Sequence, residues 1–86
     1  MNRLGFLVLS ILQAEATDRL SAMTVHEIAE TEEDLGLKEN TVFKKIRDFE
    51  KLGYIGRGLK EGRANTFYIT QEGCRFLKGE KKHNEK

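Results

Sequence analysis

Asn40, Lys44, Arg47 and Lys51 recur at a spacing that places them on one face of a helix. An Asn amide matches the paired donor and acceptor of adenine in a major groove. An Arg guanidinium reaches guanine or phosphate, and a Lys ammonium reaches phosphate. Thr41 and Lys45 lie on the flanks of this face, placed for backbone contact. A second basic group, Arg57, Lys60 and Arg63, is interleaved with Gly56, Gly58 and Gly62. The ordinary alternatives are a solvated helix face for the first group and, for the second, a charged edge that discourages strand pairing between molecules.

The elements that would position these residues follow from periodicity. Leu4, Leu7, Val8, Ile11 and Leu12 form one apolar stripe, so residues 4–14 read as a helix that Phe6 and Leu9 widen. A turn is expected around Thr17 and Asp18. Thr24-Val25-His26-Glu27 is a Thr-x-x-Glu capping box that opens a second helix, with Val25, Ile28 and Ala29 facing the core. That helix is expected to run into the acids Glu30 to Asp34 and to end at Leu35-Gly36, with Gly36 left-handed. Val42, Ile46, Phe49 and Leu52 keep helical spacing, and Gly53 stops a third helix over about 39–52. The period then changes to that of a β-hairpin over about 54–70, with Phe67, Tyr68 and Ile69 in its second strand. Thr70 reads as the N-cap of a short last helix carrying Phe76 and Leu77. Residues 1–77 are expected to form the domain, and residues 78–86 a hydrophilic, flexible tail.

Composition sets the class. The chain has 86 residues, 38% hydrophobic and 34% charged, which supports one small core. Its single cysteine, Cys74, excludes an internal disulfide, and core packing is its expected role. The apolar runs are too short to span a bilayer, and no cleavage site follows the first residues, so a cytoplasmic location is expected. The net charge of +1 hides an asymmetry. Residues 1–37 hold two basic and seven acidic side chains, a net of −5; residues 38–86 hold thirteen and seven, a net of +6. One acidic and one basic face are implied.

Catalysis is not indicated, because no nucleophile, base and acceptor can be assembled. Glu30, Glu32, Glu33 and Asp34 read as solvated acidic surface, with no His or Cys beside them and no calcium-loop spacing. His26 reads as a surface or partly buried residue, and Tyr54, Phe67 and Tyr68 as hairpin and core residues. No metal, cofactor or small-molecule ligand is expected.

The order helix, helix, turn, helix, hairpin, helix resembles a winged helix-turn-helix domain: mainly α with a small β-hairpin. The expected form is a three-helix core, a two- or three-stranded wing and a short C-terminal helix. Residues 24–29 resemble the start of its second helix, Leu35-Gly36-Leu37 its turn, and residues 41–46 and 49–55 its recognition helix and the exit to the wing. Gly62-Arg63 and residues 67–73 resemble the returning strand and the Thr-x-x-Gly start of the closing helix. The chain is similar in this to MarR-type and PadR-type regulators and to small winged-helix proteins of plasmid or phage partition and replication sites.

The resemblance implies binding of double-stranded DNA, with residues 39–52 in the major groove and the wing on the flanking groove. It implies a homodimer acting in transcription regulation, or else in plasmid or phage DNA maintenance. A winged helix that binds protein is the other reading. The first helix, with Phe76 and Leu77, is the expected dimer contact. Three features depart from the family pattern. Five residues separate Ala29 from Leu35, so the second helix is one turn longer or the turn is bulged. Lys38 stands where a Ser or Thr usually caps the recognition helix. No long C-terminal helix for dimerisation is evident.

Overall fold

The computed structural model describes residues 3–84. Helix α1, Arg3–Glu15, buries Val8, Leu9, Ile11 and Leu12, so its apolar stripe is as broad as its sequence implies. Ala16 ends it, fully buried, and its carbonyl accepts from the Ile69 N–H at 2.9 Å. The following loop is organised by Asp18, whose carboxylate accepts from the N–H groups of Leu20 and Ser21 at 2.9 Å each. These bonds, that from Ser21 foremost, hold the Asp18 carboxyl below the usual carboxylate range.

Strand β1 is two residues, Met23–Thr24, and leads directly into helix α2, Val25–Thr31. Both halves of the capping box form. The Glu27 N–H donates to Thr24 Oγ1 at 3.1 Å, and the Thr24 N–H donates to Glu27 Oε1 at 2.9 Å. Such a cap stabilises a helix by about 1 kcal/mol. The second helix is not a turn longer. It stops at Thr31, and a 3-10 turn, Glu33–Leu35, takes up the extra residues before Gly36 at φ 60°. The physical reason is the acid run Glu30, Glu32, Glu33 and Asp34, which would place negative charge at the negative end of the helix dipole.

Helix α3 spans Glu39–Lys51 and buries Val42, Ile46 and Phe49. Its N-cap, Lys38, makes no side-chain cap bond. A Schellman motif closes its other end: Tyr54 N–H donates to the Phe49 carbonyl at 2.9 Å and Gly53 N–H to that of Glu50 at 3.1 Å. Gly53 sits at φ 81°, a conformation that side chains oppose. Leu52 keeps the helical spacing but lies at the cap, outside the core. The chain turns away at the cap and leaves it 62% exposed.

Strands β2, Ile55–Arg57, and β3, Thr66–Ile69, pair antiparallel with Ile55 opposite Ile69 and Arg57 opposite Phe67. β1 adds to the other edge of β3, giving the order β1-β3-β2. The wing is thus three-stranded. Thr70 starts helix α4, Gln71–Asn84: its hydroxyl accepts from Gly73 N–H at 3.1 Å and donates to the Gly53 carbonyl at 2.6 Å. α4 is longer than the short helix expected. Residues 78–84 continue it instead of forming a tail, since neither proline nor a β-branched residue interrupts them. Residues 85–86 of the expected tail lie outside the described residues.

Phe67, Leu9, Leu12, Ile28, Ile46, Ile69 and Leu77 are among the fully buried side chains of one core shared by all four helices and the sheet. Each contributes about 1.5–3 kcal/mol. Cys74 is a free thiol packed against this core, as expected. Phe76 stacks on Tyr54 with ring centroids 4.5 Å apart. Leu77 is consequently buried within the domain, whereas Phe76, partly buried, keeps part of its surface for the dimer contact suggested for the pair. Among the described residues, no helix is long and apolar enough to cross a membrane.

Candidate nucleic-acid interface

With Val42, Ile46 and Phe49 inward, α3 turns Asn40, Thr41, Lys44, Arg47 and Lys51 to solvent. Lys45 is half-buried, its ammonium 6.0 Å from the Phe49 ring centroid. Arg47 leans along the helix: its guanidinium carbon lies 5.7 Å from the Phe43 ring centroid, and its Nε is 3.9 Å from Glu50 Oε1. The predicted face is therefore a single exposed strip. Of the acids that border it, Glu39 bonds His26, Glu50 is shared between Arg57 and Arg47, and Asp48 is exposed.

The glycine-interleaved group Arg57, Lys60 and Arg63 reads from the sequence as the wing tip, and Arg57 differs from that place. It ends β2 and does not stand at the wing tip. Its Nε donates to Glu50 Oε2 at 2.7 Å and its Nη2 to Glu50 Oε1 at 3.3 Å. The carboxylate raises the guanidinium pKa further, chiefly through the hydrogen bonds. This cation is neutralised and fixes the wing to α3. Its partner, seven residues upstream, was not singled out from the sequence, because no helical or strand register links the two positions.

Lys60 and Arg63 are the free cations of the wing. Both are exposed, around a tight turn in which Glu61 and Ala64 exchange backbone hydrogen bonds of 3.0 Å each. Gly62 takes the first central position at φ 62°. The base of the wing packs closely against the loop after α1. A Cβ on Gly58 would lie 2.4 Å from Ala22 Cβ and 2.6 Å from the Arg19 carbonyl oxygen, so only glycine lets β2 leave the sheet there.

A cleft of about 220 Å³ separates the start of α3 from the wing, lined by Thr24, Val25, His26, Glu39, Phe43, Ala64, Asn65 and Phe67. His26 stands at its edge between two carboxylates: Nδ1 is 2.7 Å from Glu39 Oε2, and Nε2 is 2.7 Å from Glu30 Oε1. Both nitrogens facing carboxylates requires the imidazolium, since a neutral ring has one lone pair that would face an anion. The hydrogen bond to Glu39, then the charges of Glu30 and Glu39, raise the His26 pKa above 6.5. The acidic run therefore does have a His beside it, one helical turn back. The i, i+4 spacing of His26 and Glu30 was the available signal. Among the described residues, no group of three or more His, Cys, Asp or Glu side chains could hold a metal ion.

A second, larger hollow of about 610 Å³ lies on another part of the surface, lined by Arg3, Leu4, Phe6, Leu7, Leu35 and Leu37. It is the exposed breadth of α1, closed on one side by the helix-turn-helix turn.

No protein-family model matches the chain. The DNA-binding protein TubR of Clostridium botulinum C phage is 29% identical over 72 residues, which cover 84% of this chain and 85% of that protein. The solution structure of the DNA-binding TubR fragment from Clostridium botulinum superposes with a TM-score of 0.71 at 30% identity, covering 92% of this chain and 95% of that one. A PadR family transcription regulator from Clostridium difficile shares the fold, with a TM-score of 0.76 at 21% identity over 95% of this chain and 86% of its own. Fold, chain coverage and identity together place the chain in the TubR family, within the winged helix-turn-helix DNA-binding superfamily.

Proposed function

We propose that this chain binds double-stranded DNA sequence-specifically and without catalysis, with α3 in the major groove and the wing on the flanking groove. The observation that carries the reading is the exposed strip Asn40, Lys44, Arg47 and Lys51, bordered across one cleft by the wing. A B-form major groove admits a helix of this kind. Asn40 and Arg47 read base edges. Thr41, Lys44, Lys45 and Lys51 contact phosphates, Lys60 and Arg63 reach the flanking groove, and Arg57 holds the wing in place.

The bound form is a homodimer in the cytoplasm. One module making three to six phosphate contacts would bind at only about 10⁻⁴ to 10⁻⁶ M. A second copy covering the apolar hollow of Leu4, Phe6, Leu7, Leu35 and Leu37 supplies the missing affinity on half-sites about 34 Å apart. Regulation of transcription is the proposed use. A second reading, binding at a DNA-maintenance site of a phage or plasmid, is favoured by the phage origin of the TubR relative. Mapping bound sites in cells separates them: promoters for the first, a phage or plasmid maintenance site for the second.

The primary test is fluorescence anisotropy with random duplex DNA across a salt series, comparing wild type with Lys44→Glu/Arg47→Glu. Binding that weakens steeply with salt and vanishes in the double variant is expected. A folded wild type that does not bind at low salt would instead indicate a winged helix that docks on protein.

A further inference from the structure

Phe43 is a large aromatic side chain that the core does not absorb. It lies on α3 one turn before Arg47 and is 36% exposed, although Val42, Ile46 and Phe49 already fill the contact of this helix with the core. It occupies the corner where α3 meets the wing, beside Glu39, Ala64 and Asn65. Its one face carries the Arg47 guanidinium, with the guanidinium carbon 5.7 Å from the ring centroid.

The rest of the outward strip is amide, hydroxyl and cation. An apolar edge there is unfavourable in water and finds one apolar complement in a major groove, the C5-methyl group of thymine. The two side chains are also close enough to read together. Base pairs rise about 3.4 Å each, so a ring and a guanidinium 5.7 Å apart span no more than two steps. Resting on the DNA-binding reading above, we propose that Phe43 is a specificity-determining residue that contacts a thymine methyl next to the base engaged by Arg47.

The test begins with a duplex selected from a random library by the wild-type protein. Each thymine is then replaced singly by deoxyuridine, which removes only the methyl. Dissociation constants are measured for wild type, Phe43→Ala and Phe43→Leu, with circular dichroism to verify folding. At one thymine per half-site, deoxyuridine weakens wild type by about three- to tenfold, the scale of one methyl in an apolar contact. Phe43→Ala is weakened on the thymine duplex, is indifferent to deoxyuridine at that position, and keeps the wild-type salt slope. Phe43→Leu retains part of the methyl dependence. Equal losses by Phe43→Ala on both duplexes, or no deoxyuridine-sensitive thymine, would overturn the proposal and leave Phe43 as packing between helix and wing. Failure of the selection to enrich any sequence would overturn sequence-specific DNA binding itself, and the thymine contact with it.

Discussion

Glu50 and Arg57 are joined by two hydrogen bonds, 2.7 and 3.3 Å long, that tie α3 to strand β2 of the wing. Glu50 is 19% exposed and Arg57 47% exposed in their side chains, so the pair sits at the solvent edge of the corner. One consequence is that the three basic residues of the wing are not equivalent. Arg57 holds a shape, whereas Lys60 and Arg63 offer charge.

This inequality sets the first prediction. Each phosphate contact adds about 0.9 to the slope of log affinity against log salt. Lys60→Ala and Arg63→Ala should each lower that slope by about this amount. Arg57→Ala should leave the slope unchanged, because its charge is already cancelled by Glu50, and should weaken binding by misplacing the wing. Anisotropy titrations at four or five salt concentrations decide it. A drop in slope for Arg57→Ala equal to that of Lys60→Ala would show that the pair opens on DNA.

A second prediction concerns pH. His26 gains its partners Glu39 and Glu30 on folding, and its pKa rises above 6.5. Its contribution is therefore complete below the unfolded value and is lost as pH rises through the elevated folded value. Thermal melts from about pH 6 to pH 9 should show wild type losing stability relative to His26→Gln as the ring deprotonates. The effect is modest, because the ring is well exposed. A difference between the two proteins that grows with pH would contradict the imidazolium bridge.

The third prediction tests the close approach beneath α4. A Cβ on Gly73 would lie 2.3 Å from the Tyr54 carbonyl oxygen and 2.7 Å from Ile69 Cγ1. Gly73→Ala must push α4 off the sheet, at a cost of about 1–3 kcal/mol. Gly79→Ala, with nothing within 4 Å of the added carbon, should be neutral or slightly stabilising. Urea denaturation of both variants provides the comparison.

Features closed within three or four residues were legible in the sequence. The Thr24–Glu27 box, the Gly53 cap and the Thr70–Gly73 bond all join near neighbours in the chain. The strip Asn40, Lys44, Arg47 and Lys51 was legible for the same reason, since a helix makes spacing into geometry. Glu50–Arg57 and His26–Glu39 were not, because each pairing depends on where a turn delivers a distant residue. β1 escaped notice because two residues are too few to show a period.

Thr24 belongs at once to β1, where it pairs with Thr66, and to the capping box of α2. Sheet and helix-turn-helix thus meet at one residue, with no intervening linker between β1 and α2. This direct connection favours a frame that is formed without a ligand. On the proposed DNA-binding reading, the entropy lost on complex formation then falls mainly on long surface side chains such as Lys60 and Arg63. A domain of this size can then discriminate between partners with few contacts, because little of its interaction energy is consumed in assembling itself.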